Sequence, residues 1–186
     1  MKKILALFVF VTSSVCLQAQ TKPTELDKSP MDMSYFPANY PILKMKGQGG
    51  DQPLIRIIYS RPQKKNREIF GGEVKYNEVW RLGANEASEI EFFKNAKLGS
   101  KKLTKGRYSI FCIPTENNWV IILNKDLNSW GSFTYKSEKD VVRIEVPVQK
   151  NTEVTEAFTM FFEPIKLGAQ LVLLWDDVKV NVPITF

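Results

Sequence analysis

The chain has 186 residues, with 26 lysines and arginines against 20 aspartates and glutamates, and it contains no histidine. The absence of histidine excludes Ser-His-Asp and Cys-His catalysis and the usual zinc sites with imidazole ligands. The net charge of +6 is modest and its basic residues are scattered among acids, so nucleic acid is not an expected partner.

The first 19 residues have the composition of an export signal. Lys2 and Lys3 precede an apolar run from Ile4 to Val11, and Ala19 fits a cleavage site. The run is shorter than the ~20 residues of a membrane-spanning helix. We therefore predict a signal peptide over residues 1–19 and a periplasmic or secreted protein with no integral membrane segment after cleavage.

The two cysteines support neither a lipid anchor nor a disulfide. Cys16 follows Val15, where a lipoprotein signal requires a small residue, so lipidation is not expected. After cleavage only Cys112 remains, which rules out an intramolecular disulfide. The remaining length fits one domain with its own core.

The segment that follows the signal peptide changes character near residue 31. Residues 20–30 are polar and are predicted to form a flexible tether. From 31 to 43 the aromatic residues Tyr35, Phe36 and Tyr40 indicate an extended N-terminal arm that packs on the domain.

Short segments of alternating hydrophobicity make up the rest of the chain, with turn residues between them and no convincing amphipathic helix. The last two are joined at Asp176-Asp177, which reads as a tight hairpin. This pattern predicts an all-β protein, a single antiparallel β-sandwich or jelly-roll-like domain over residues 31–186. The predicted strands are 54–61, 88–93, 107–113, 119–123, 141–148, 156–162, 171–175 and 178–182.

The stretch from Tyr59 to Phe93 carries more chemistry than loops between strands need. Pro62 keeps Arg61 extended, so Arg61 shares the inward face of its strand and requires a partner, with Glu86 and Glu89 the nearest acids. Arg81 offers a second guanidinium.

The loop from Gly83 to Ala87 is built from small residues, so its backbone could approach a ligand closely. We predict a ligand-binding site formed by arginines, an amide and an acid with an indole as an apolar wall, a set that suits a carbohydrate or a small anion. The alternative is that an Arg–Glu network only clamps the loops together. Trp130 in particular is interpreted as packed, with sugar stacking as the alternative. The candidate residues are Arg61, Trp80, Arg81, Asn85, Glu86 and Trp130.

Several strings resemble the exported bacterial family called domain of unknown function 2911, which is common in Bacteroidetes. The resemblance covers the chain from about residue 29 to the C-terminus and implies an exported single domain with no established activity. It supplies no catalytic residues to carry over. The strings are Ser-Pro-Met-Asp at 29–32, Tyr-Ser-Arg-Pro at 59–62, Ile-Phe-Gly-Gly at 69–72, Val-Trp-Arg-Leu-Gly-Ala-Asn-Glu-Ala at 79–87, Lys-Gly-Arg-Tyr-Ser-Ile-Phe-Cys-Ile-Pro at 105–114, Asn-Lys-Asp at 124–126 and Trp-Gly at 130–131.

Three functions remain open from the sequence. The first is a non-enzymatic binding module for a carbohydrate or a small anion. The second is a histidine-free hydrolase or lyase that uses Glu86 or Glu89 as the acid or base, with Arg61 or Arg81 stabilising negative charge. The third is a scaffold domain in which the arginine-rich stretch is only a clamp. No cofactor and no metal site is predicted.

Overall fold

The computed structural model describes residue 23 and residues 25–186. The predicted signal peptide and residues 20–22 and 24 of the predicted tether lie outside the described residues. The strands are β1 (Met31–Phe36), β2 (Ile55–Ser60), β3 (Glu89–Phe92), β4 (Ala96–Leu98), β5 (Lys101–Leu103), β6 (Gly106–Pro114), β7 (Asn118–Asn124), β8 (Asp140–Ile165) and β9 (Gly168–Thr185); the one α-helix of the described residues, α1, is Tyr40–Met45, and a 3-10 turn is Ser137–Lys139.

All described strand pairs are antiparallel, and they form one nine-stranded sheet in the order β1-β2-β3-β6-β7-β8-β9-β4-β5. The predicted all-β, antiparallel class is therefore confirmed. The finer division into two packed sheets, as in a sandwich or jelly roll, stays a prediction.

The two longest strands differ from the sequence prediction. The four strands predicted after residue 140 are in fact β8 and β9, and the chain does not reverse at Asp176-Asp177. Asp176 has a φ of 55° and pairs with Thr155 of β8. The register between β8 and β9 shifts on both sides of Thr155. A single residue in this conformation makes a bulge that bends a strand without ending it. The polar residues at these bulges interrupt the hydrophobic alternation, which is why they read as turns.

The predicted N-terminal arm is an edge of the sheet. β1 pairs with β2 in a register that runs from Met31 opposite Ser60 to Phe36 opposite Ile55. The short helix α1 then turns back, and the buried Tyr40 donates a hydrogen bond from its hydroxyl to the Gly50 carbonyl at 3.1 Å. The arm is therefore part of the sheet rather than an appendage to it.

Strand alternation predicts the core well. Ile55, Ile57 and Tyr59 are buried on one face of β2, as the sequence indicates. Cys112 is also fully buried, and burial raises the pKa of its thiol well above the ordinary value. A protonated, inaccessible thiol is a core side chain and not a nucleophile.

An aromatic cluster fills one end of this core. Trp80 stacks on Trp175 with ring centroids 5.8 Å apart, and it meets Phe158 at 5.1 Å. Phe70 lies 5.1 Å from Trp119 and 6.1 Å from Trp80. Since large aromatic side chains dominate core energetics, this cluster fixes the position of the segment that contains Trp80 and Arg81.

Candidate functional site

Ser60, at the end of β2, holds the loop that begins at Gly83. The Ala84 amide donates to Ser60 Oγ at 2.7 Å, and the Ser60 hydroxyl donates to the Ala84 carbonyl at 2.5 Å. Gly83 has a φ of 151°, and a Cβ there would stand 2.8 Å from Ser60 Oγ. The contact therefore requires glycine at position 83, and it connects two of the segments that resemble the family, 59–62 and 79–87.

Trp80 is anchored on two sides. It forms a β-bridge with Cys112, with N–H to carbonyl distances of 2.7 and 2.9 Å, and its Nε1 donates to the Gly83 carbonyl at 3.1 Å. Its side chain is buried. Trp80 is thus first a core residue, and only part of its surface is left to line a site.

Arg61 lies in a cluster that joins three strands. Its Nη1 contacts Asp32 Oδ2 at 3.0 Å, its Nη2 donates to Thr159 Oγ1 at 2.8 Å, and its Nε donates to the Phe158 carbonyl at 3.2 Å. The predicted need for a carboxylate at the strand end is met, but by Asp32 on β1 instead of Glu86 or Glu89. Every guanidinium nitrogen has a protein partner, so Arg61 binds β1 and β8 to β2.

Arg81 has the opposite surroundings. Its side chain is half-buried, its Nε is buried without a hydrogen-bond partner, and it forms no ion pair with any described residue. Removal from solvent lowers the pKa of the Arg81 guanidinium from its ordinary value. A partly desolvated cation with no counter-charge is costly, because burial penalises an unpaired charge.

Arg81 lines a pocket of about 210 Å³ that we call the Arg81 pocket, together with Arg67, Glu73, Trp80 and Trp175. Arg67 is occupied, because its Nη1 contacts Glu73 Oε2 at 2.7 Å and its Nε donates to the Lys64 carbonyl at 3.0 Å. The Arg67–Glu73 pair is neutral as a unit, so the pocket carries the single uncompensated positive charge of Arg81.

Among the described residues, no hydrogen bond or ion pair joins Glu86, Asn85 or Trp130 to Arg61 or Arg81. Glu86 is exposed, and no described residue forms an ion pair with it. Asn85 has a φ of 59°, and its carbonyl accepts a hydrogen bond from the Gly131 amide at 2.8 Å. Trp130 has 60% of its surface exposed. By their contacts the six predicted residues form three groups, which are Arg61 alone, Trp80 with Arg81, and Asn85 and Glu86 with the Trp130 loop.

Glu89 is engaged elsewhere. Its Oε1 accepts the Asn128 amide at 2.9 Å, and its Oε2 lies 3.4 Å from Arg107 Nε. The predicted partners of this acid were Arg61 and Arg81, which the sequence places nearby but the fold does not. Glu86 and Glu89 do line one pocket of about 290 Å³, called here the Glu86 pocket, with Met31, Ile58, Ala87 and Asn128.

Sequence reasoning missed the residues that complete these arrangements. Asp32 stands in the Ser-Pro-Met-Asp string and could have been paired with Arg61 on that ground. Thr159, Glu73 and Trp175 carry no comparable signal, because their positions depend on how β8, β9 and the loop after β2 cross. Among residues 25–186 no group of three acidic or cysteine side chains converges as a metal site requires.

Comparison with known proteins gives a family without an activity. A family model described as "Protein of unknown function (DUF2911)" matches residues 43–184. No curated protein matches the chain, and no solved structure does. In the described part of the chain, no helix has both the length and the apolar character needed to cross a membrane.

Proposed function

The chain belongs to the family described as "Protein of unknown function (DUF2911)", and we propose that it is a non-enzymatic domain that binds a small organic anion at Arg81. The observation that carries this proposal is a half-buried guanidinium that lines a pocket and has no described partner. A protein gains nothing in stability from such an arrangement, whereas a site for an anion requires it.

The charges of the Arg81 pocket favour a ligand with one negative charge. Glu73 also lines the pocket, and its pair with Arg67 leaves a net charge of one from Arg81. A second negative charge on the ligand would be repelled by the Glu73 carboxylate. The planar fork of a guanidinium matches a carboxylate, with two parallel hydrogen bonds.

Two indole edges give part of an otherwise mainly polar pocket an apolar wall, which favours an organic ligand over an inorganic ion. Trp80 and Trp175 are stacked on each other within the core, and only the 7% and 4% of their surface that stay exposed can line the pocket. The indole edges offer apolar contact to the carbon skeleton of a ligand, and the Arg81 guanidinium binds its charged end. Small-molecule sites commonly combine apolar walls with a few polar groups that fix the orientation of the ligand.

The hydrolase alternative has less support from the geometry. It requires Arg61 or Arg81 beside Glu86 or Glu89, but Arg61 is occupied by Asp32 and Arg81 lines a different pocket from the two glutamates. As part of the same proposal we place the protein outside the cytoplasm, in the periplasm or the medium. The support for this location is the signal-like composition of residues 1–19.

The test is a titration of intrinsic tryptophan fluorescence with acetate, benzoate and phosphate in a buffer free of other such anions. Because Trp80 and Trp175 line the pocket, an occupant should change their emission. We expect saturable binding of the carboxylates, with a Kd of about 1 mM or tighter and benzoate the tighter of the two, and weaker binding of phosphate.

The variants separate a site from a general salt effect. Arg81→Met should weaken carboxylate binding at least ~10-fold, since hydrogen bonds to a charged group contribute ~1.5–3 kcal/mol. The matched control is Arg143→Met, which removes an arginine paired with Asp140 outside the pocket and should leave binding unchanged. No saturable change in the wild type, or equal binding by Arg81→Met, would refute the proposal.

A further inference from the structure

Trp130 lies on the surface with a second aromatic side chain near it. The sequence favoured a packed role, yet Trp130 is 60% exposed and Phe133 on the same loop is 83% exposed. Burying a large aromatic side chain is strongly favourable, so two exposed ones on one loop require an explanation.

The loop is fixed to the domain rather than loose. The Gly131 amide donates to the Asn85 carbonyl at 2.8 Å, and the Ala87 amide donates to the Ser129 carbonyl at 2.9 Å. Ser132 Oγ donates to the Val79 carbonyl at 2.9 Å. The exposed rings therefore stand on a backbone held at several points, which lowers the entropy lost when a ligand binds.

These hydrogen bonds also place Glu86 beside Trp130. The two residues form an antiparallel bridge, and the bonds lie on either side of it, between Asn85 and Gly131 and between Ala87 and Ser129. This is the non-hydrogen-bonded type of pair, with Cα atoms about 4.5 Å apart and both side chains on one face. The two side chains therefore leave the backbone side by side, with Glu86 lining the Glu86 pocket and Trp130 beside it, outside the pocket lining.

The Glu86 side chain lines the Glu86 pocket, which has a volume of about 290 Å³. Its apolar surface comes from Met31, Ile58 and Ala87, and its polar surface from Glu86, Glu89 and Asn128. Glu89 is engaged by Arg107 and the Asn128 amide. Glu86 and the Asn128 side chain form no hydrogen bond with any described residue, so both are available to a ligand.

We propose that Trp130, Glu86 and Asn128 form a carbohydrate-binding site, distinct from the Arg81 pocket, that takes one pyranose ring. The indole face contacts the C–H face of the sugar, and the Glu86 carboxylate accepts hydrogen bonds from its hydroxyls. The side-chain amide of Asn128 both donates and accepts hydrogen bonds. A pyranose ring has an apolar C–H face and an edge of hydroxyls, and this surface offers an aromatic contact to the first and polar groups to the second.

The hydrogen-bonding groups favour a neutral sugar over an organic cation. Glu89 and Arg107 form a pair, so Glu86 leaves the pocket with one uncompensated negative charge. That carboxylate attracts a cation as well, but a quaternary ammonium ion leaves the Asn128 side-chain amide without a partner. A sugar hydroxyl, in contrast, both donates to a carboxylate and accepts from an amide.

The experiment follows the indole N–H signals of the protein in ¹H–¹⁵N correlation spectra. The probes are methyl β-D-glucopyranoside, methyl β-D-galactopyranoside and cellotetraose, with tetramethylammonium chloride as the cationic comparison. The Trp130 signal is assigned by its loss in Trp130→Phe. We expect a saturable shift of this signal with at least one of the sugars, with a Kd in the range of about 1–10 mM.

The variants show whether the three residues act together. Trp130→Ala should weaken the sugar at least ~10-fold and Glu86→Gln about 3-fold, because a neutral amide accepts a weaker hydrogen bond than a carboxylate. Leu167→Ala removes an equally exposed apolar side chain elsewhere and should change nothing. Since Trp130 is exposed, its variant should unfold at the wild-type denaturant concentration, which verifies that the fold is intact.

Other results would overturn the carbohydrate site. These are no saturable shift of the Trp130 signal with any sugar, a shift by tetramethylammonium that exceeds every sugar, or sugar binding unaffected by Trp130→Ala. Arg81→Met should bind the sugars as the wild type does, so failure here and failure of the anion proposal are separate results.

Discussion

Two arginines of the stretch from Tyr59 to Phe93, Arg61 and Arg81, have opposite hydrogen-bonding environments. Arg61 is about as exposed as its partner Asp32, and all its guanidinium nitrogens contact the protein. Arg81 is half-buried, lines a pocket and has no described partner. The same residue type therefore joins strands in one region and presents an unused charge in the other.

The difference shows how a structural arginine is distinguished from a functional one. Exposure alone does not distinguish them, since both side chains are partly exposed. What distinguishes the two arginines is whether the protein itself provides hydrogen-bond partners and a counter-charge for the guanidinium. A partly buried cation without them reduces stability unless a bound ligand compensates for it.

The largest loss of stability should come from replacing Trp80, which belongs both to the core and to the lining of the Arg81 pocket. Trp80→Ala should cost ~3–5 kcal/mol of unfolding free energy, as large-to-small changes of buried aromatics do. Anion binding should be lost with it. Urea unfolding followed by circular dichroism measures the cost. The exposed Trp130→Ala is the control, expected within ~0.5 kcal/mol of wild type.

The second effect concerns Arg61. Arg61→Met should lower the unfolding free energy by ~1–3 kcal/mol, because Asp32, Thr159 and the Phe158 carbonyl lose a charged or polar partner. Carboxylate binding should remain, since Arg61 does not line the Arg81 pocket.

A double-mutant cycle identifies the source of that loss. Arg61→Met combined with Asp32→Asn should show a coupling energy of at least ~0.5 kcal/mol, as expected for residues in direct contact. Strict additivity of the two substitutions would show that the ion pair does not hold β1 to β2.

The third prediction concerns Arg81, whose replacement should change stability less than that of Arg61 and carboxylate binding more. Arg81→Met should change the unfolding free energy by less than ~1 kcal/mol, or raise it, because methionine keeps an apolar stem and removes an uncompensated charge. It should nevertheless weaken carboxylate binding at least ~10-fold. A loss of stability as large as that of Arg61→Met would mean that Arg81 also has a structural partner.

The smallest effect at neutral pH should be that of Tyr59→Phe, whose hydroxyl lies 3.4 Å from Asp32 in the Arg61 region. Burial raises the pKa of Tyr59 above its ordinary 10.0. Its contribution to stability is therefore complete below pH 10.0 and is lost as pH rises through the folded-state pKa.

Alkaline unfolding measures this contribution by difference. Tyr59→Phe should lose less stability above pH 10.0 than the wild type does. Tyr135, whose pKa burial and the hydrogen bond to Asp140 raise to about 12, provides a shared background in both proteins. Identical alkaline profiles of wild type and Tyr59→Phe would contradict the assignment.

Some of this organisation is visible in the sequence and some is not. Alternation identifies β2 and β3, and short apolar runs identify the central strands β6 and β7, which are buried on both faces. The need of Arg61 for a carboxylate follows from its parity. Alternation does not identify β8 and β9, because bulges near Thr155 and Asp176 interrupt the pattern. A bulge and a turn use similar residues, and only the partner strand distinguishes them.

The sequence suggests the candidate residues as a set, but it does not predict how they are arranged. The stretch around Arg81 stands out because glycine, amide and charged residues are dense there, and Gly83 is indeed required by Ser60. The partners of Arg61 come from β1 and β8, and Trp175 comes from β9 to the Arg81 pocket, whose other walls lie mostly between β2 and β3. Such long-range choices depend on how strands cross, which residue spacing alone does not encode.

The most direct test of the contrast between the two arginines is the Nε–H signal of each in ¹H–¹⁵N spectra, assigned with Arg61→Lys and Arg81→Lys. Benzoate at saturation should shift the Arg81 signal, with the Kd that fluorescence gives, and leave the Arg61 signal in place. A shift of the Arg61 signal instead, or no shift of either, would contradict the account.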